Sequence, residues 1–192
     1  MAFFLKFDVS FFSIILLVVL YITMKLRSEL TGTSSQLFFR LLWITVFLLA
    51  LEVLSWAFDG IPGQNKLNYF FNMAFAWGTS LITCVLASYL DYHIMGSYDR
   101  LKKRCFYIQP FIITGILIGI NLFCPIIFSV SQDNIYRRES LMILLPMINV
   151  ITFTYICYLV YKQRTKIQKE IIYVILLYVL MPCVVAFVQV NI

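Results

Sequence analysis

Charged side chains are scarce in this sequence: Asp, Glu, Lys and Arg make up 12% of 192 residues, against 62% hydrophobic and 17% aromatic. A soluble globular surface needs about twice that share of charge, so the composition excludes an ordinary soluble domain and calls for an integral membrane protein. Histidine occurs once, as His93. The five cysteines (Cys84, Cys105, Cys124, Cys157 and Cys183) form no Cys-x-x-Cys pair. Neither a zinc site nor a redox pair is signalled, and the thiols read as buried small apolar groups. Gly-rich phosphate loops, serine elbows and nucleic-acid motifs are also lacking, so no catalytic residue, no metal, no cofactor and no nucleic-acid partner is expected.

What remains is a succession of long apolar runs, which imply an all-α, polytopic transmembrane bundle in contact with the lipid bilayer. Six spans are expected at about 9–24, 41–58, 67–89, 106–130, 141–161 and 171–190, forming one transmembrane domain over 1–192. The first resembles a signal peptide in length, but no small-residue cleavage site follows it, so it reads as retained. Asp59-Gly-Ile-Pro-Gly63 cannot continue a helix and closes the second span. The fourth contains Pro110 and Pro125, read as bends within one helix. No internal repeat suggests the inverted halves of a transporter.

Net charge is +6, and its distribution orients the chain. The segments after spans one, three and five hold Lys25, Arg27, Arg40, Arg100, Lys102, Lys103, Arg104, Lys162, Arg164, Lys166 and Lys169, eleven of fifteen basic residues. Lys6, Lys66, Arg137 and Arg138 lie on the other side. Short basic loops stay cytoplasmic, so a multi-pass protein of the plasma membrane is expected with its N-terminus outside. Six spans then leave Ile192 outside, and a seventh apolar span is expected to return a longer chain to the cytoplasm.

Polar residues within apolar spans are costly and therefore informative. Glu52 is the acidic residue well inside a span; Trp56 and Asp59 follow at four and seven residues, on one face of a continuing helix. Asn68, Asn72, Thr79 and Thr83 form a stripe on the third span. Placed by topology, Glu52, Trp56, Asp59, Asn68, Asn72, Asn121, Gln189 and Asn191 fall in the outer half, with Asn149 just below. These residues are candidates for a pocket that opens outward to an unknown small ligand. The other reading is interhelical hydrogen bonding, worth about 1 kcal/mol each. Arg137 and Arg138 are candidate partners for Glu52. Gly115 and Gly119 form a Gly-x-x-x-Gly, which permits close helix approach within one chain or across a homodimer.

Tyr89-Leu-Asp-Tyr-His-Ile94 followed by Arg100-Leu-Lys-Lys-Arg104 resembles the end of the third helix in the membrane-embedded N-terminal sensor regions of bacterial GGDEF proteins, the diguanylate cyclases of Gram-positive bacteria. Asn121-Leu-Phe-Cys-Pro-Ile-Ile-Phe128 leading to Asn134-Ile-Tyr-Arg137 is similar to their fourth helix and outer loop, and Pro182 with Gln189 to their sixth helix. The resemblance implies a seven-helix sensor fold lacking its last helix, serving signal transduction to a cytoplasmic cyclase. The sequence holds no Gly-Gly-Asp-Glu-Phe, so it implies no enzyme activity for this chain. The alternative is a small six-helix transporter or a membrane thiol peptidase built on His93 and Cys105 or Cys157.

Overall fold

Each helix begins and ends where the sequence changes its backbone chemistry. A computed structural model describes residues 2–26, 32–96, 105–164 and 172–173. Helix α1 covers Ala2–Leu26 and α2 covers Thr33–Phe58, ending where Asp59 turns to extended backbone and Gly60 takes a positive φ of 77°. Helix α3, Asn65–Met95, stops at Gly96, whose left-handed conformation (φ 66°) lets its N–H reach the Tyr92 carbonyl at 2.8 Å. That is the usual glycine device for satisfying a last helical carbonyl.

After a 3-10 turn over Cys105–Ile108, α4 runs Gln109–Asn121 with Pro110 in its first turn, where a missing N–H costs nothing. Strands β1 (Phe128–Val130) and β2 (Tyr136–Arg138) pair antiparallel, with Phe128 opposite Arg138 and Val130 opposite Tyr136. A second 3-10 turn, Ser140–Ile143, leads into α5, Leu144–Gln163.

The chain is thus predominantly helical, with five α-helices and one small hairpin among the described residues. Among the described residues, three stretches are long and apolar enough to cross a membrane: Ser35–Phe58, Asn65–Tyr92 and Ser140–Gln163. Large apolar side chains such as Leu16, Phe47 and Ile151 stand 62–70% exposed on the helices, as lipid-facing residues do.

The helix expected over 106–130 ends at Asn121. It rises about 20 Å, and with the 3-10 turn before it the segment runs back along α3, from Tyr107 in one core with Leu90 to Asn121 bonded to Tyr69. Pro125 does not bend a helix; it lies in the irregular segment beyond the helix end. The helical fold class holds in its coarse form, and residues 128–138 add to it one short pair of strands. The expected sixth span, 171–190, with Gln189 and Asn191, lies outside the described residues apart from 172–173.

Helix α3 is the hub, in contact with α2, α4, α5 and β1, while α1 packs on α2. Two apolar cores form along it. One joins Ala76, Ile118, Ile127, Phe128 and Leu145 near the hairpin. The other joins Leu86, Ala87, Leu90, Tyr107, Phe153 and Ile156 toward the opposite end of α3. Between them the packing opens.

Candidate functional site: a cavity within the helix bundle

The candidate pocket residues separate into two groups, and the hairpin explains why. Backbone leaving a helix beside or within a membrane must find partners for its N–H and C=O groups. Asn121, 1% exposed, supplies them: its Oδ1 accepts from Ile127 N–H at 2.8 Å and Phe128 N–H at 3.3 Å, and its Nδ2 donates to the Phe128 carbonyl at 2.9 Å. The same Nδ2 also donates to the Tyr69 hydroxyl at 3.0 Å, linking the segment to α3.

A second knot holds the hairpin tip. Asn134, fully buried with φ 60°, donates from Nδ2 to the carbonyls of Phe58 (2.6 Å) and Ile61 (2.7 Å). Asparagine tolerates this left-handed backbone better than most residues. Asn68 Nδ2 donates to Asp59 Oδ1 and to both the carbonyl and Oδ1 of Asn134, and Asn72 Nδ2 donates to Asn68 Oδ1 at 2.6 Å. Asp59 Oδ1 in turn accepts from Tyr136 N–H at 2.9 Å. Asp59, Asn68, Asn72 and Asn121 therefore fasten the hairpin to α2 and α3. Asp59 does not share a helical face with Glu52, because the helix has ended one residue before it.

Burial pushes the Tyr136 phenol above its ordinary range, with the carboxylate of Asp59 acting in the same direction and the charge of Arg138, which also hydrogen-bonds it, opposing. The partner given to Glu52 by the fold is neither Arg137 nor Arg138: Ser10 of α1 donates its hydroxyl to Glu52 Oε2 at 3.3 Å. Both arginines are exposed on β2.

Glu52 and Asn149 belong to the other group. They line a cavity of about 310 Å³ between α2, α3 and α5, together with Thr45, Thr79, Thr83 and an apolar majority that includes Phe75 and Phe153. The stripe read from the sequence on α3 is real but divided: its Asn68 and Asn72 end serves the hairpin, and its Thr79 and Thr83 end faces the cavity. The hydroxyls of Thr45, Thr79 and Thr83 donate to the carbonyls of Leu41, Ala76 and Thr79. Asn149 Oδ1 is buried without a hydrogen-bond partner. Trp56 is partly buried one turn beyond Glu52 and is not among the cavity's lining residues. Thr45 and Pro146 are lining residues that sequence reasoning missed; the back-bonding habit of a threonine within an apolar helix is the signal for the first.

The Gly-x-x-x-Gly divides in the same way. A Cβ on Gly115 would lie 3.0 Å from Trp77 Nε1, whereas one on Gly119 would meet nothing within 4 Å. Gly115 makes room for an indole that stacks on Phe111 (centroids 4.9 Å apart) and donates to its carbonyl. Of the peptidase pairing, the side chains of His93 and Cys105 lie outside the described residues, and Cys157 is half-buried on α5. No family model, curated protein or solved structure matches this chain.

Proposed function

We propose that this protein is a multi-pass sensory module of the plasma membrane, which takes up a small ligand in the Glu52 cavity and passes the resulting helix movement along α3 to a cytoplasmic output. The observation that carries the reading is a carboxylate inside an apolar span, held by one hydroxyl donor, on the wall of a cavity of about 310 Å³ bounded by three helices. A polar group in such a position is costly to keep in a bilayer and marks a functional site by default. Support for direction comes from the sequence: the basic segments after α1, α3 and α5 favour an outside N-terminus and an α3 that points its 97–104 end at the cytoplasm. The resemblance to sensor regions of GGDEF proteins favours the same reading, with a diguanylate cyclase as the class of output and no enzyme in this chain.

Signalling requires a ligand that binds two helix arrangements unequally. Spin labels at the exposed positions Trp43 on α2 and Tyr158 on α5 report the arrangement. Fractionated membrane and medium extracts from the host supply the ligand. The expected result is a fraction that stabilises the protein in nanodiscs against thermal unfolding and shifts the inter-label distance distribution. Thr79→Phe, which fills the cavity, should abolish both effects. Stabilisation without any shift would leave a binding protein rather than a sensor. Full response by Thr79→Phe would remove the cavity from the mechanism.

A further inference from the structure

A second void abuts the first. It measures about 200 Å³, is walled by Leu17, Leu20, Leu41 and Tyr89 among others, and shares Thr45 and Leu86 with the Glu52 cavity. Glu52 and Leu41 are eleven residues apart on α2, so the two voids together extend about 16 Å along that helix. Their polarity is one-sided. Glu52 and Asn149 stand at one end, and the other is lined by apolar residues apart from Thr45 and Tyr89.

The polar end also has a particular hydrogen-bonding character. Its three threonine hydroxyls give their protons to backbone carbonyls and so have only lone pairs left to offer. Glu52 offers carboxylate oxygens, one of which already accepts from Ser10, and Asn149 lines the same end. The amide NH2 of Asn149 is the one donor among the lining side chains. Such a site is short of donors and holds an uncompensated acid. A primary ammonium brings three donors, no acceptor and the opposite charge.

Resting on the reading of this cavity as a ligand site, we infer that the two voids form one binding slot for a single-chain amphiphile with a primary ammonium head. The head sits between Glu52 and Asn149, and the alkyl chain runs past Thr45 and Leu86 into the space between α1 and α2. An alcohol of the same chain supplies one donor and brings lone pairs that meet lone pairs. A fatty carboxylate sets like charge against Glu52.

The test uses the full chain in nanodiscs of zwitterionic lipid, with dodecylamine, dodecanol and dodecanoate as probes and empty nanodiscs subtracted. Saturable binding of dodecylamine is expected, with dodecanol weaker by about tenfold or more, the scale of a charge-assisted hydrogen bond, and dodecanoate weaker still. Glu52→Gln should weaken dodecylamine by a similar factor and narrow its advantage over dodecanol. Leu42→Phe, which fills the second void from a buried position, should shift preference from dodecylamine to octylamine. Equal binding of amine and alcohol to the native protein overturns the head-group assignment, whether or not Glu52→Gln folds. An unchanged chain-length preference in Leu42→Phe overturns the tail path. If no probe binds saturably while an extract fraction still stabilises the native protein and not Thr79→Phe, the slot inference fails and the cavity remains a ligand site. If no extract fraction stabilises it either, the cavity reading falls as well.

Discussion

Asn68 Nδ2 lies 2.9 Å from Asp59 Oδ1, a bond that joins the start of α3 to the residue at which α2 ends. The same amide nitrogen reaches Asn134 in the hairpin tip, so one side chain holds three segments at once. Asn68→Ala should therefore cost about 1–3 kcal/mol, because it leaves the buried Oδ1 of Asn134 without its donor, whereas the exposed Asp59 keeps Tyr136 N–H and the Asn134 carbonyl keeps Gly60 N–H. Thermal unfolding in nanodiscs measures the loss, and protease sensitivity of 131–136 should rise with it. Asn72→Ala removes a donor from the edge of the same knot and should cost about 1 kcal/mol. Equal, small losses from both would show that the knot is not centred on Asn68.

The hairpin should also loosen in alkali. The folded Tyr136 phenol is raised above the unfolded value of about 10, so above that pH the unfolded chain holds fewer protons than the folded one. Its contribution to stability is intact below about pH 10 and declines as pH rises toward the folded value. Ultraviolet titration of the native protein minus Tyr136→Phe isolates this phenol from the other eleven of twelve tyrosines. A difference curve centred at or below the ordinary phenol range would contradict the burial described here.

Alanine at the two glycines of α4 should give opposite results. Gly119→Ala has open space around it and gains helix propensity, so a stabilisation of up to about 1 kcal/mol is expected. Gly115→Ala pushes on the Trp77 indole, which is stacked and hydrogen-bonded, and should destabilise by about 1–3 kcal/mol. Loss of an oligomer on Gly119→Ala, read by mass photometry in native lipid discs, would instead assign that residue to a contact between copies.

Topology is open to direct labelling. In a cysteine-free background, cysteines introduced at Ser97 and Gln168 should resist an impermeant maleimide on intact cells, and one at Asp133 should react. Asp133 is the suitable hairpin position because it is exposed, whereas the neighbouring Asn134 is buried and structural. The reverse labelling pattern would invert the proposed orientation.

Much of the helical layout was legible in the apolar runs, because hydropathy and turn residues act locally. Asp59-Gly-Ile-Pro-Gly63 ended α2 as read, and the fifth run agrees with α5 to within three residues, but α2 starts eight residues before the second run and α3 continues six residues past the third. The end of α4 was not legible. Residues 122–130 are apolar enough to continue a helix, but Pro125 has no N–H for the Asn121 carbonyl, and the Asn121 side chain satisfies backbone groups six and seven residues away in the segment that follows. The site divided for a related reason. Polarity within a span marks a residue as paired, but whether the pairing is with the protein or with a ligand depends on long-range geometry. Asn68 and Asn121 found backbone and side-chain partners in a hairpin that no periodicity announced, while Asn149 did not.

The hairpin knot has a consequence for the order in which this protein is made. Asn134 bonds to a carbonyl 76 residues earlier in the chain, and Asp59 waits for an N–H 77 residues later. During synthesis α2 and α3 enter the bilayer while Asp59, Asn68 and the last carbonyls of α2 still lack the partners that will satisfy them. Until residue 136 has emerged, these groups must stay in reach of water. The completed hairpin then acts as a latch, so the ends of α2 and α3 are fastened together only after residue 136 has been made.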